Sequence, residues 1–139
     1  MPGRIRNGGC LCGAVHFAAR GQPKHVNLCH CEMCRKAAGA PVVAWATYPA
    51  DAVSWTGAPK WRRSSERAER AFCGECGSAL SWRELAEPGL IDLTVGCFDE
   101  ADDLRPADHL WMDSRIRWLK IDDRLPKHKE ERKSPLVAE

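Results

Sequence analysis

Apolar and polar side chains alternate along this chain in short runs broken by Gly and Pro, the period-two signature of strands joined by turns. Residues 13–19 (GAVHFAA) predict one strand, and residues 41–48 (PVVAWATY) a longer, mostly buried one. Ala71-Phe72 leads into a Cys-Gly-Glu-Cys-Gly turn, and residues 79–82 (ALSW) lead out of it, which predicts a hairpin with that turn at its tip. Residues 90–98 (LIDLTVGCF) and 116–121 (IRWLKI) predict two further strands. Only Glu32 to Ala38 (EMCRKAA), stopped by Gly39, carries a helical pattern. Turn punctuation falls at Gly8-Gly9, Gly21, Pro49, Gly57, Pro59, Pro88-Gly89 and Pro106. From residue 126 the sequence PKHKEERKSPLVAE is charged and free of aromatics, so it is expected to fray as a flexible tail. The pattern predicts a mostly β domain of short strands, with no internal repeat and no low-complexity linker.

A length of 139 residues suits one domain, and 44% hydrophobic with 29% charged residues is ordinary for a soluble globular chain. Such a chain can bury a core of its own, so a metal would hold loops together rather than replace a core. The net charge of +2 is too balanced to indicate nucleic acid. Residues 60–70 (KWRRSSERAER) carry a local positive excess, but glutamates interrupt it, and no nucleic-acid partner is expected. No apolar stretch follows Met1 to Arg6, and no run approaches the roughly 18 apolar residues of a membrane span. The expected location is therefore the reducing cytoplasm, where clustered cysteines are metal ligands more readily than disulfides.

Seven of the eight cysteines fall into three clusters: Cys10-x-Cys12, Cys29-x-Cys31-x-x-Cys34 and Cys73-x-x-Cys76. Residues i and i+2 of a strand share a face, so Cys10/Cys12 and Cys29/Cys31 would each present two sulfurs to one side, with His30 pointing to the other. Cys73-Gly74-Glu75-Cys76-Gly77 has the form of a zinc knuckle, whose glycines permit the tight turn that brings backbone N–H groups to sulfur. A C-x-C pair with a C-x-x-C knuckle makes one closed four-thiolate zinc site. The triplet offers three sulfurs and an open fourth position, with Cys34 near a helix start that favours thiolate. Alternatively a fourth protein ligand closes that site, the candidates being His30, Cys97 and His109; other pairings of the clusters also remain open. Cys97, in an apolar strand, reads first as a small core side chain. His109 follows an acidic turn and precedes Trp111, and is a candidate proton carrier; His16, His25 and His128 carry no comparable signal. Most of the six tryptophans are expected in the core, with Trp45, Trp111 or Trp118 available to wall a pocket.

The segments Gly9-Cys10-Leu11-Cys12-Gly13-Ala14-Val15, Cys29-His30-Cys31-Glu32-Met33-Cys34-Arg35-Lys36 and Phe72-Cys73-Gly74-Glu75-Cys76-Gly77 resemble the glutathione-dependent formaldehyde-activating (centromere protein V/GFA) family. Residues 106–118 (PADHLWMDSRIRW) are similar to that family's C-terminal stretch, and the resemblance runs over residues 6–125, leaving 126–139 as the tail. It implies a single-domain β-tent fold with two zinc ions. Cys10, Cys12, Cys73 and Cys76 would hold the structural ion, and Cys29, Cys31 and Cys34 the catalytic-type one. It also implies a carbon–sulfur lyase acting on a thiol–aldehyde adduct such as S-hydroxymethylglutathione. Within that reading His109 is placed as a proton shuttle, and Arg35 and Lys36, beside the second cysteine motif, either meet an acidic thiol or form a solvated helix face. The rival readings are a non-catalytic thiol- or small-molecule-binding protein and an interaction module on the same scaffold. No coiled-coil or interface stripe indicates an oligomeric state.

Overall fold

The structure, a computed structural model, describes residues 3–138. Ten strands and one helix form a mostly β, single-domain fold, as the alternation predicted. The strands are β1 (Ile5–Gly9), β2 (His16–Arg20), β3 (His25–Cys29), β4 (Val43–Pro49), β5 (Val53–Thr56), β6 (Lys60–Arg63), β7 (Ala68–Phe72), β8 (Ala79–Glu84), β9 (Leu90–Thr94) and β10 (Asp108–Leu110). The helix, α1 (Glu32–Ala38), falls where its pattern placed it and ends at Gly39 in the left-handed conformation at φ 65°. A small sheet has the order β1-β2-β5, and a large one β10-β3-β4-β9-β8-β7-β6. The pairings between these strands are antiparallel except β10 on β3, and His109 of β10 also bridges Lys127 in parallel.

Alternation on β4 explains how the large sheet serves two purposes. Ala46 and Tyr48 join Phe17, Val26, Leu93 and Phe98 in the main core, which takes side chains from both sheets. Phe17 packs edge-on against Phe98 with centroids 4.9 Å apart. Burying each such side chain contributes about 1.5–3 kcal/mol. Val43 and Trp45, on the opposite face of β4, pack instead against Cys29 and Cys34. One face of the sheet thus builds the core, and the other carries the second cysteine cluster under α1.

Several sequence expectations change. Residues 13–15 form the end of a turn rather than the start of β2, with Gly13 at φ 86°. Gly57, at φ 76°, closes the β5–β6 turn directly over that loop, where a Cβ would overlap the Ala14 carbonyl. The run 90–98 is a strand only to Thr94, and Val95–Cys97 coil into a 3-10 turn. Residues 116–121 are not a strand. A turn bond from the Leu119 N–H to the Ile116 carbonyl bends them, and Trp118 lies 71% exposed. Their alternation finds no partner because the free edge of β10 is taken by later residues: the His109 N–H donates to the Pro126 carbonyl, and the His128 N–H to the His109 carbonyl.

The stretch expected to fray is hydrogen-bonded along this edge. Trp111, Met112 and Asp113 donate to the carbonyls of Glu130, His128 and Lys129 respectively. The buried Asp108 carboxylate meets His25 Nε2 at 2.9 Å, Arg132 Nε at 3.2 Å and His128 Nε2 at 3.5 Å. Among the described residues no helix is long and apolar enough to cross a membrane.

Candidate metal centres

The first cysteine group is assembled by two turns. Cys10 and Cys12 lie in the turn after β1, not in a strand, and Cys73 and Cys76 in the turn between β7 and β8. All four sulfurs lie within 4.8 Å of one another. Cys10 Sγ is 3.7 Å from Cys12 Sγ, which is 3.8 Å from Cys73 Sγ. Four thiolates around a tetrahedral ion at metal–sulfur distances of about 2.3 Å would be spaced by about 3.8 Å, so this donor set fits a closed site. Backbone donors face the sulfurs: Val15 N–H to Cys10 at 3.2 Å, and Glu75 and Cys76 N–H to Cys73 at 3.4 and 3.5 Å. The Ser78 hydroxyl and N–H draw the Cys76 thiol down to about 5. Cys12 is pushed up to about 12: its bond from Ala14 N–H pulls downward, but desolvation and proton sharing with Cys10, Cys76 and Cys73 prevail. Four close sulfurs cannot all ionise without a cation among them. The packing of Val15 and Leu80 on Cys10 and Cys73 makes the site a small core of its own.

The second group brings together Cys29, Cys31 and Cys34, with sulfurs again within 4.8 Å of one another. Cys29 ends β3, and Cys31 is the N-cap of α1, with φ −67° and ψ 151°. Its sulfur accepts from the Cys34 N–H at 3.2 Å, the bond that a serine or aspartate oxygen usually makes at this position. Cys31 therefore sits where the helix favours an anion. Hydrogen bonds from Cys29 and Cys34, with the Cys34 N–H, pull its thiol down to about 2, while hydrogen bonds to Cys31 and Cys34, with burial, push Cys29 up. Among the described residues no fourth Cys, His, Asp or Glu joins the three.

None of the three side chains considered as a fourth ligand reaches this group. Cys97 packs against the first cysteine group and its Sγ lies 3.4 Å from the Ala79 carbonyl. His30 does point away from its cysteine neighbours: its Nε2 is 2.8 Å from His109 Nδ1, and His109 Nε2 is 2.6 Å from Asp123 Oδ2. Both histidines are almost fully buried. Burial, with the positive charges of His109, Arg115 and Arg35, lowers the His30 imidazole to about 4. His109 was legible as a candidate, but its string with His30 and Asp123 was not, because Asp123 lies in a segment with no regular pattern.

Arg35 and Lys36 are engaged elsewhere. Arg35 Nη2 reaches the Ser114 carbonyl at 3.3 Å, and Lys36 pairs with Glu32 at 2.9 Å on the helix surface. The arginine that meets the three cysteines is Arg70 of β7, with Nη2 3.5 Å from Cys34 Sγ and its guanidinium 6.0 Å from the Trp45 ring centre. A cavity of about 480 Å³ adjoins this arrangement, walled by Val43, Trp45, Arg62, Arg70, Phe72 and Thr94 among others. Trp45 and Trp111 pack around the three cysteines, whereas Trp118 is on the surface.

A Schizosaccharomyces pombe protein described as an uncharacterised lyase is 37% identical over 73 residues, which span 52% of this chain and 53% of that protein. The match therefore takes in about half the length of that relative. A provisionally named glutathione-dependent formaldehyde-activating enzyme of Halomonas elongata is 31% identical over 131 residues, or 86% of this chain and 83% of that one. Among solved structures, a Rhodobacter sphaeroides protein superposes with a TM-score of 0.55 over 70% of this chain and 91% of its own, at 20% identity. That likeness speaks for the fold alone. The model of the glutathione-dependent formaldehyde-activating enzyme family matches residues 5–114. Most of the chain, including all seven clustered cysteines, lies inside that match, and the chain belongs to the glutathione-dependent formaldehyde-activating enzyme family.

Proposed function

We propose that this protein is a zinc-dependent carbon–sulfur lyase acting on a thiol–aldehyde adduct of the S-hydroxymethylglutathione kind. The observation that carries the reading is the three-sulfur group of Cys29, Cys31 and Cys34, without a fourth side-chain donor among the described residues and with a cavity of about 480 Å³ beside it. Closed thiolate sites hold folds together, whereas catalytic zinc sites keep a position open. Cys10, Cys12, Cys73 and Cys76 would hold a structural zinc, and Cys29, Cys31 and Cys34 a second one. Zinc bound by three thiolates supplies Lewis acidity, which favours a thiol's ionised form and polarises a carbonyl oxygen.

The chain's own residues set the stage for the reaction. In the lyase direction the carbon–sulfur bond breaks, the adduct's hydroxyl gives up its proton as the carbonyl forms, and the departing sulfur takes a proton as it becomes a thiol. The fixed positions of Cys31 at the helix cap and Cys29 at the strand end define where sulfur is received. Trp45 and Val43 exclude water from one side. Both ring nitrogens of His109 are already hydrogen-bonded, so His109 acts as a positioning residue that holds His30, not as a group that touches substrate. Holding the thiol and aldehyde halves together beside the three cysteines would supply proximity and orientation.

The test is exchange NMR on glutathione and formaldehyde at equilibrium, with zinc-loaded protein. Faster exchange between free and adduct signals, absent in Cys31→Ser, is the expected result. No acceleration by protein carrying two zinc ions per chain would remove this substrate pair.

A further inference from the structure

Arg62 and Arg70 stand directly opposite each other on β6 and β7, so their side chains leave the sheet on the same face. Like charges in this arrangement are destabilising. A carboxylate nearby would remove the repulsion, and the same hairpin region has them to offer: Arg67 pairs with Glu84, and Arg83 with Glu69. Neither Arg62 nor Arg70 has a carboxylate within ion-pair distance among the described residues. The carboxylate nearest in the cross-strand row is Asp92, which lies beyond Trp82 and hydrogen-bonds to Thr47. Both arginines line the cavity of about 480 Å³, and Arg70 also touches Cys34 Sγ at 3.5 Å. The cavity has the size of a small-molecule site. Its positive wall therefore starts beside the three cysteines and extends away from them to the sheet's outer strand.

We infer that Arg62 and Arg70 form a carboxylate clamp, so that the adduct this site accepts is an acid whose carboxylate reaches the two arginines while its reacting sulfur or carbon lies at the three cysteines. The clamp rests on the proposed lyase reading only for its neighbour, the three-cysteine site; the binding it describes is separate from turnover. Planar guanidinium groups suit carboxylates better than ammonium does, because they donate two parallel hydrogen bonds. The carboxylate can be carried by the thiol half, as in glutathione, or by the aldehyde half, as in glyoxylate. Formaldehyde with a neutral thiol offers none. Arg62 and Arg70 are thus specificity-determining residues, and they extend the site beyond the cysteines.

The experiment uses the zinc-loaded full chain. Calorimetry compares glutathione with its diethyl ester, which keeps the thiol and loses both carboxylate charges. The acid is expected to bind about tenfold tighter, a modest return for charge-assisted hydrogen bonds. Arg62→Gln, chosen because Arg62 touches no cysteine, should erase that ratio at unchanged zinc content. Arg67→Gln removes an equal charge outside the cavity and should leave the ratio intact. A ratio untouched by Arg62→Gln would overturn the clamp, and so would equal affinities of acid and ester together with no Arg62-dependent acceleration of 2-mercaptoethanol plus glyoxylate. Exchange NMR with 2-mercaptoethanol plus glyoxylate, and with glutathione plus formaldehyde, then shows which half carries the carboxylate: acceleration that depends on Arg62 in either pair supports the clamp. Acceleration of 2-mercaptoethanol plus formaldehyde equal to both acidic pairs would overturn it. Selective binding of the acid without any acceleration would keep the clamp and remove the lyase reading, whereas acceleration without selectivity would do the reverse.

Discussion

The Nε2 of His30 lies 2.8 Å from the Nδ1 of His109, which joins the residue between two candidate metal ligands to a carboxylate on the far side of β10. His109 sits between the ring of His30 and Asp123, and its strand partner is Leu28, immediately before Cys29. The His30 N–H also donates to the Leu110 carbonyl at 3.0 Å. The parallel β10–β3 pairing and this side-chain string therefore fix the Cys29–Cys31 segment from behind.

His109→Ala should accordingly destabilise the domain. It leaves a buried ring nitrogen of His30 without its partner and takes the imidazole from Asp123, whose carboxyl the imidazole holds below the usual range against the opposing effect of burial. A lost buried hydrogen bond of this kind costs about 1–3 kcal/mol. Urea denaturation would register it as a lower midpoint at constant slope. An unchanged midpoint would show that the string contributes no stability.

Asp92 gives a pH-dependent prediction with a definite sign. Enclosure of its carboxyl raises the group from 3.8 to about 6, against the opposing hydrogen bond from Thr47 and with help from the Cys34 charge. The folded state thus holds this proton more tightly than the unfolded chain. Its contribution to stability is fully present below the unfolded value and is lost as pH rises through the folded one, so the window runs from about pH 4 to about pH 6. Asp92→Asn retains an oxygen to accept from Thr47 and has no proton to lose. It should be more stable than the natural chain at pH 7.5 by about 1–3 kcal/mol, with the gain vanishing near pH 4. Melting curves at the two pH values check this; a gain that is the same at both would exclude titration of Asp92 as the cause.

The two cysteine groups should respond differently to loss of one sulfur. Cys73 belongs to a four-sulfur set whose neighbours Val15 and Leu80 are fully buried, and its loop closes the β7–β8 hairpin. Cys73→Ser should lower the melting temperature strongly and cut the metal content, because metal binding at a closed site is coupled to folding. Cys31 caps a helix of only seven residues, and a serine hydroxyl can still accept the Cys34 N–H. Cys31→Ser should keep the fold, lose the second metal ion and lose exchange catalysis. Unfolding of Cys31→Ser would instead make the second group structural. Metal analysis alongside circular dichroism separates these outcomes.

Much of this site was legible in the sequence because ligand chemistry needs particular residues at short spacings. The three cysteine clusters and the Glu32–Ala38 helix are local features, and local features survive folding. The strand at Val43–Pro49 was announced by the mostly apolar, β-prone run of residues 41–48, and that at Leu90–Thr94 by the alternation in residues 90–98. What escaped was non-local. Arg70 looks like one charge among many in a polar run, and only its place opposite Arg62, near Cys34, gives it meaning. Asp123 gains a role only through His109. Residues 116–121 alternate like a strand, yet the β10 edge they would need is occupied by residues from 126 onward. Pattern reveals what a segment can do, whereas competition for a sheet edge is settled elsewhere in the chain.

That competition yields the last prediction. Asp108 is buried, and two of its three side-chain partners, His128 and Arg132, come from the last dozen residues. Residues 126–130 satisfy the N–H groups of His109 in β10 and of Trp111, Met112 and Asp113 just after it. Deleting residues 126–139 would uncover this edge and leave Asp108 with His25 alone, at 2.9 Å. Loss of buried charge-assisted hydrogen bonds costs about 1–3 kcal/mol each, although the exposed part of Arg132 weakens its share. The truncated chain should therefore melt well below the full chain, and hydrogen exchange at the amides of His109 and Trp111 should accelerate. If the segment were a frayed tail, deletion would change neither. Because β10 carries His109 and pairs with the strand ending at Cys29, the loss should also loosen the second metal, and competition with a chelator would show faster release from the truncated protein than from the full one.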